Sequence, residues 1–261
     1  MKMKNILVIC MLTVLPVYYS TNAFAVGGIS NSKIIVPGTD TVPKKRVEIE
    51  PFANFLFADD ENNTKTYELG ARITYGLLSN IEFGVTFLFV TFEDDDLINT
   101  NTNFGNFEPG IGIKWRFLEQ QGNDLFSFSL AYEGGVSIPI RSNEGNWTFE
   151  PLGLILTKNF NEKFSMDIDV VLRIVEDELW GINSNYGLGY YFTDWLQPVA
   201  EMGYVYENID NQRNAHDLSV TGGFTANLTD YATLIIGVTK NLVSEDTEDT
   251  LVITSALTLI F

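Results

Sequence analysis

Charged residues in this chain recur two positions apart. Glu48 and Glu50, Lys114 and Arg116, and Asp167 and Asp169 each place like charges on every second residue. In an extended strand such residues leave the same face, so each pair projects into one space. Catalysis, metal binding and the lining of an aqueous path are the chemistries open to them. Nucleophilic catalysis needs a base beside a nucleophile. His216 is the only histidine, and the nearest serine on its stretch, Ser219, has the opposite parity and faces the other side. A lone histidine at a strand end is more often an ordinary polar surface residue than a catalytic base. The chain has no HExxH, no CxxC, no P-loop and no GxGxxG opening a helix. The acidic run Glu93–Thr100, "EDDDLINT", lacks the glycine and closing glutamate of a calcium-binding helix–loop–helix. These residues therefore predict no catalytic group, no enzyme, no metal site and no cofactor, and leave the lining of a path as the reading to develop.

The positioning elements follow from the rest of the chain. Residues 1–25 carry Lys2 and Lys4, then the apolar run "ILVICMLTVLPVYY", then "AFA". That order predicts a secretory signal cleaved after Ala25. The alternative, a retained anchor, loses to the Ala-x-Ala site. Cys10 comes too early, and behind residues too bulky, for a lipidated cysteine. The mature chain of 236 residues is then free of cysteine, which excludes disulfides and thiolate chemistry. It carries 14 basic against 34 acidic residues, a balance of −20. Such a chain is not expected to bind nucleic acid through bulk charge. Beyond the signal there is no apolar run long enough for a membrane-spanning helix.

Residues 26–45 contain Gly, Pro and Ser without a sustained period. They read as a flexible lead-in or a small plug, and their composition favours a disordered N-terminus. From Arg46 onward the period is two. Ile81, Phe83, Val85, Phe87 and Phe89 share one face against Glu82, Gly84 and Thr86. Phe164, Met166, Ile168, Val170, Leu172 and Ile174 oppose Ser165, Asp167, Asp169 and Arg173. Helical spacing would scatter these residues around a cylinder. About twelve such strands are expected, near 46–58, 65–77, 81–93, 104–117, 124–138, 147–158, 163–175, 179–192, 195–207, 215–228, 231–241 and 249–261. Short turns such as "LLSN" and "LTD" alternate with acidic or Asn-rich segments such as "ADDENNT" and "VSEDTED". This is the layout of an all-β, transmembrane, antiparallel up-and-down β-barrel in one domain, 46–261, with both termini periplasmic and localisation in the cell outer membrane.

A soluble sandwich would put long charged residues on its polar face. Here that face is rich in Gly, Thr and Ser, and aromatics gather at strand ends: Trp115, Phe117, Tyr190, Trp195, Tyr204, Tyr206 and Tyr231. Parity predicts inward acids Glu48, Glu50, Glu68, Glu82, Glu108, Glu133, Asp167, Asp169, Glu201 and Asp217, and inward bases Arg72, Lys114, Arg116 and Arg173. The acids outnumber the bases, so complete internal pairing is impossible, which favours a water-filled space. The residues expected to line the path are Arg72, Glu82, Lys114, Arg116, Asp167, Asp169, Arg173 and Glu201. The expected role is a passive outer-membrane channel or transporter for a small-molecule solute. A closed structural or surface-interaction barrel is the second reading, followed by a barrel hydrolase built on His216 and a soluble lipid-binding barrel.

Two resemblances add to this. The terminal strand "LVITSALTLIF" ends on Phe261, which resembles the C-terminal signal read by the outer-membrane assembly machinery. That implies the machinery and outer-membrane lipid as partners. Residues 39–51, "TDTVPKKRVEIEP", and 104–124, "FGNFEPGIGIKWRFLEQQGND", resemble the opening and central strands of the outer-membrane transporter family linked to the MetA pathway of phenol degradation. Asn106 stands where that family commonly has Asp. The resemblance implies a barrel passing small hydrophobic or aromatic compounds and brings no catalytic residue.

Overall fold

The structure, a computed structural model, describes residues 29–58, 65–94, 101–104, 109–122, 127–138, 147–175, 179–209, 214–245 and 250–261. The expected signal, Glu108 and the acidic segments between strands lie outside the described residues.

The alternating stretches form thirteen antiparallel segments: β1 Val47–Ala58, β2 Lys65–Leu78, β3 Ile81–Asp94, β4 Asn101–Phe104, β5 Gly110–Leu118, β6 Ser129–Ser137, β7 Thr148–Asn159, β8 Phe164–Val175, β9 Leu179–Tyr190, β10 Leu196–Ile209, β11 Ala215–Thr229, β12 Ala232–Glu245 and β13 Thr250–Ile260. Each pairs with its neighbours in sequence except β4 and β5, which both pair with β3, and β1 pairs with both β2 and β13, so the sheet closes. β4 and β5 occupy the same side of β3. They are two parts of one wall position, which makes a twelve-strand up-and-down barrel. No helix among the described residues is long and apolar enough to cross a membrane. The barrel's strands are instead mostly 12 to 15 residues long. Tilted strands of about 10 residues already cross a hydrocarbon core.

Most strands lie within a few residues of the expected bounds, β12 running on to Glu245, and two differ more. The stretch expected at 104–117 is split. Between the pairs Thr86↔Gly110 and Val90↔Phe104, β3 advances four residues while its partner advances six. Pro109, with no amide to give to a ladder, lies in this irregular stretch. The strand expected from residue 124 starts at Ser129. The Ser127 hydroxyl donates to the Gln121 carbonyl at 2.8 Å and accepts from the Gln121 amide at 2.9 Å. These bonds compete with ladder pairing and widen the turn.

Burial is inverted relative to a soluble protein. Glu82, Lys114 and Glu133 are 0 % exposed, whereas Leu152 on the outer wall is 59 % exposed. A sandwich in water has no reason to bury the charges and expose the leucine, whereas a barrel in lipid must. Exposed aromatics form two belts. Trp115, Tyr190, Trp195 and Tyr231 lie at the end that carries the tight turns and the chain's C-terminus, and Trp147, Phe149, Trp180 and Tyr204 lie at the other. Closure runs to the last residue: the Phe261 amide donates to the Val47 carbonyl at 2.8 Å and the Val47 amide to the Phe261 carbonyl at 3.1 Å.

Candidate functional site: the lumen and the segment inside it

The inward face of each strand is the polar one, as parity predicts. Glu48, Glu50, Glu68, Arg72, Glu82, Lys114, Glu133, Asp167, Asp169, Glu201 and Asp217 are all buried within the barrel. Residues Ile29–Pro43, just before β1, run inside the lumen and bind several of these side chains.

Glu201 on β10 receives three successive amides, from Ile34 at 3.0 Å, from Ile35 at 3.0 and 3.2 Å, and from Val36 at 3.3 Å. A carboxylate in such a cradle satisfies backbone donors that would otherwise be buried without partners. Glu82 on β3 accepts from the Ser30 amide at 2.7 Å, the Ser30 hydroxyl at 2.8 Å and the Val42 amide at 2.7 Å. Lys114 on β5 pairs with Glu82 at 3.0 Å and donates to the carbonyls of Ser30 and Gly38, both at 3.0 Å. Asp167 on β8 pairs with Lys33 and accepts from the hydroxyls of Thr157 and Ser32, the last at 2.6 Å. Arg116 pairs with Asp40 at 2.9 Å near the turn end.

Apolar contacts seat the same segment. Ile34 packs with Phe52, Val199, Ile235 and Ala256. It fits over Gly223 and Gly237: a Cβ on Gly223 would lie 2.7 Å from the Ile34 Cδ1, and one on Gly237 2.7 Å from its Cγ2. Ile29 packs with Ala131, Ile155 and Val171. The segment leaves the lumen through a tight turn in which Lys45 has φ 65° and the Lys45 amide donates to the Gly76 carbonyl at 2.7 Å. A Cβ on Gly76 would meet the Pro43 carbonyl oxygen at 2.2 Å. A polar pocket of about 340 Å³ remains between segment and wall at the turn end, lined by Asn31, Lys33, Asp40, Glu48 and Gln197 among others.

Five of the eight residues expected to line a path thus bind the inner segment: Glu82, Lys114, Arg116, Asp167 and Glu201. The other three do not. Arg72 pairs with Glu50 within the wall at 2.6 Å, and Thr258 donates to the same carboxylate at 2.5 Å. Arg173 stands 3.6 Å from Glu207. Asp169 accepts from the Asn185 amide at 3.1 Å. His216 lies on the outward face, its Nδ1 at 2.8 Å from the Tyr204 hydroxyl and its ring against Tyr206, while Ser219 faces the lumen. Among the described residues no three His, Cys, Asp or Glu side chains converge as a metal cage.

Sequence reasoning missed Lys33, because it sits in a stretch without a period. Two signals pointed to it. "KIIV", residues 33–36, is the one apolar knot in the lead-in, and inward glycines cluster on β9, β11 and β12, where they leave room for something other than wall side chains.

No protein-family model matches the sequence, and no curated protein matches it. Solved structures match the fold. An outer membrane channel from Pseudomonas putida F1 is similar over 85 % of this chain and 98 % of its own, at 12 % identity and a TM-score of 0.66. The KdgM porin in complex with disordered oligogalacturonate is similar over 81 % and 98 %, at 8 % identity and a TM-score of 0.53. The NanC porin is similar over 81 % and 98 %, at 6 % identity and a TM-score of 0.52.

Proposed function

We propose that the protein is an outer-membrane channel for small solutes whose lumen is stopped, at the turn end, by its own residues 29–43. In this reading the turn end is periplasmic, a cleaved signal delivers the chain, Phe261 serves the assembly machinery, and the aromatic belts sit at the two lipid interfaces. The observation that carries it is how the segment is held. Its backbone amides and one lysine bond to wall carboxylates, contacts that water can replace, and its buried apolar part is limited to Ile29, Ile34, Val36 and Val42. A permanent core would bury many more large side chains. Hydrophobic or aromatic compounds are the solute class that the resemblance to the phenol-degradation transporters implies.

A closed structural barrel without transport is the second reading, favoured by the filled lumen. Single-channel recording of refolded residues 26–261 in a planar bilayer separates the two. The channel reading expects cation-biased current, at least in voltage-driven openings. A folded, heat-modifiable barrel that never conducts supports the closed one.

A further inference from the structure

Beside the inner end of the segment lies a set of lumenal oxygens without a hydrogen-bond partner among the described residues. Glu133 on β6 is 0 % exposed, and neither carboxylate oxygen has a hydrogen-bond partner among the described residues. Asp169 on β8 is 1 % exposed; its Oδ2 accepts from Asn185, and its Oδ1 has no partner. The Asn183 Oδ1 on β9 is likewise without one. Register places these groups along one arc of the inner wall. Glu133 pairs with Gly153, Gly153 with Val171 and Val171 with Asn183, one continuous row across four strands. Asp169 is the next inward residue below Val171 on β8.

Gly153 explains where Glu133 points. A Cβ at Gly153 would lie 2.3 Å from the Glu133 Cγ. The missing side chain lets the glutamate lie across β7 toward β8, on the side of Asp169. The facing lysine makes no hydrogen bond to it. Lys114 stands opposite Glu133 in the β5–β6 register. Its ammonium is instead directed to Glu82, Gly38 and Ser30, with the Ser30 hydroxyl at 2.8 Å. The adjacent inward residues Ala131, Ile155 and Val171 form an apolar cluster with Ile29 and offer no donor. A carboxylate removed from water needs a counter-charge or donors; among the described residues Glu133 receives no hydrogen bond and Asp169 receives only the one from Asn185.

We propose that Glu133 and Asp169 form a divalent-cation subsite of the lumen. Two carboxylates match one doubly charged ion in charge. A set made only of oxygens, flexible and incomplete, suits a hard cation such as Ca²⁺ with water filling the remaining positions. The Asn183 oxygen stands in the same row as a further candidate ligand. The subsite deepens the channel reading on which it rests: it gives the lumen a place where a cation leaves bulk water above the stopped end.

The test is calorimetric titration of CaCl₂ into refolded residues 26–261, stripped of divalent ions, in detergent at neutral pH. The expected result is one Ca²⁺ per chain with a dissociation constant on the order of 1 mM or below. Glu133→Gln/Asp169→Asn weakens it at least about tenfold, which is about 1.4 kcal/mol. Asp194→Asn, on an exposed turn, leaves it unchanged. The double variant sheds two unpaired buried charges, so its heat-modifiable fold is retained. Gly153→Ala, which keeps both charges but displaces Glu133, weakens binding as well. Absence of saturable heat in the parent chain, pointing to protonated acids, overturns the subsite. So does binding that persists in the double variant, which assigns the ion to the acidic segments between strands. Bilayer recording keeps the two proposals apart: binding without current overturns the channel and leaves the subsite, and current without binding does the reverse.

Discussion

At the scale of single residues, the inner segment depends on a few wall carboxylates. Glu201 accepts three amides. Glu201→Gln replaces an acceptor-only carboxylate by an amide that offers a donor where an acceptor is needed, and hydrogen bonds to a charged group are the stronger kind. The expected cost is about 1 to 3 kcal/mol of docking free energy, read as faster proteolysis within residues 29–43 while the barrel band stays intact. Lys33→Met leaves Asp167 buried without its cation, and breaking such a pair costs about 3 to 5 kcal/mol. Lys33→Met combined with Asp167→Leu removes both charges and is expected to recover most of that loss in the same proteolysis assay. Recovery of nothing would show that the pair contributes little. Parity alone placed Glu82, Asp167 and Glu201 inside the barrel. It was silent on what they bind, because apart from Lys114 and Thr157 their partners belong to a stretch that carries no period.

At the scale of elements, strand existence and face were legible because lipid and lumen impose opposite demands on alternate residues. The sequence was less informative where side chains compete with the ladder, as Ser127 does before β6, and where Pro109 withholds an amide between β4 and β5. Inward glycines were visible as small residues suited to a confined lumen. The structure gives some of them a narrower task. Gly223 and Gly237 receive Ile34, and Gly76 lets the turn at Pro43 approach β2. Gly76→Ala would force its Cβ against the Pro43 carbonyl, and overpacking of that kind costs about 1 to 3 kcal/mol. The expected outcome is a barrel that folds and closes normally but whose residues 29–43 are cut sooner by protease. An unchanged cleavage rate would mean that the turn does not fix the segment.

At the scale of the molecule, acids outnumber bases by 34 to 16 over the full chain, and the lumen keeps that bias after the segment has contributed Lys33. Any current the barrel passes is therefore expected to prefer cations. Asp167→Asn/Asp169→Asn lowers that preference, measured as reversal potential under a salt gradient; an unchanged potential removes these residues from the path. Whether residues 29–43 close the lumen is decided by comparing the single-channel conductance of refolded residues 26–261 with that of a chain beginning at residue 44. The longer chain is expected to pass small or intermittent current and the shorter one steady, larger, cation-selective current. If the shorter chain folds to a heat-modifiable barrel and conducts no more than the longer, residues 29–43 are not what closes the lumen, and the claim fails.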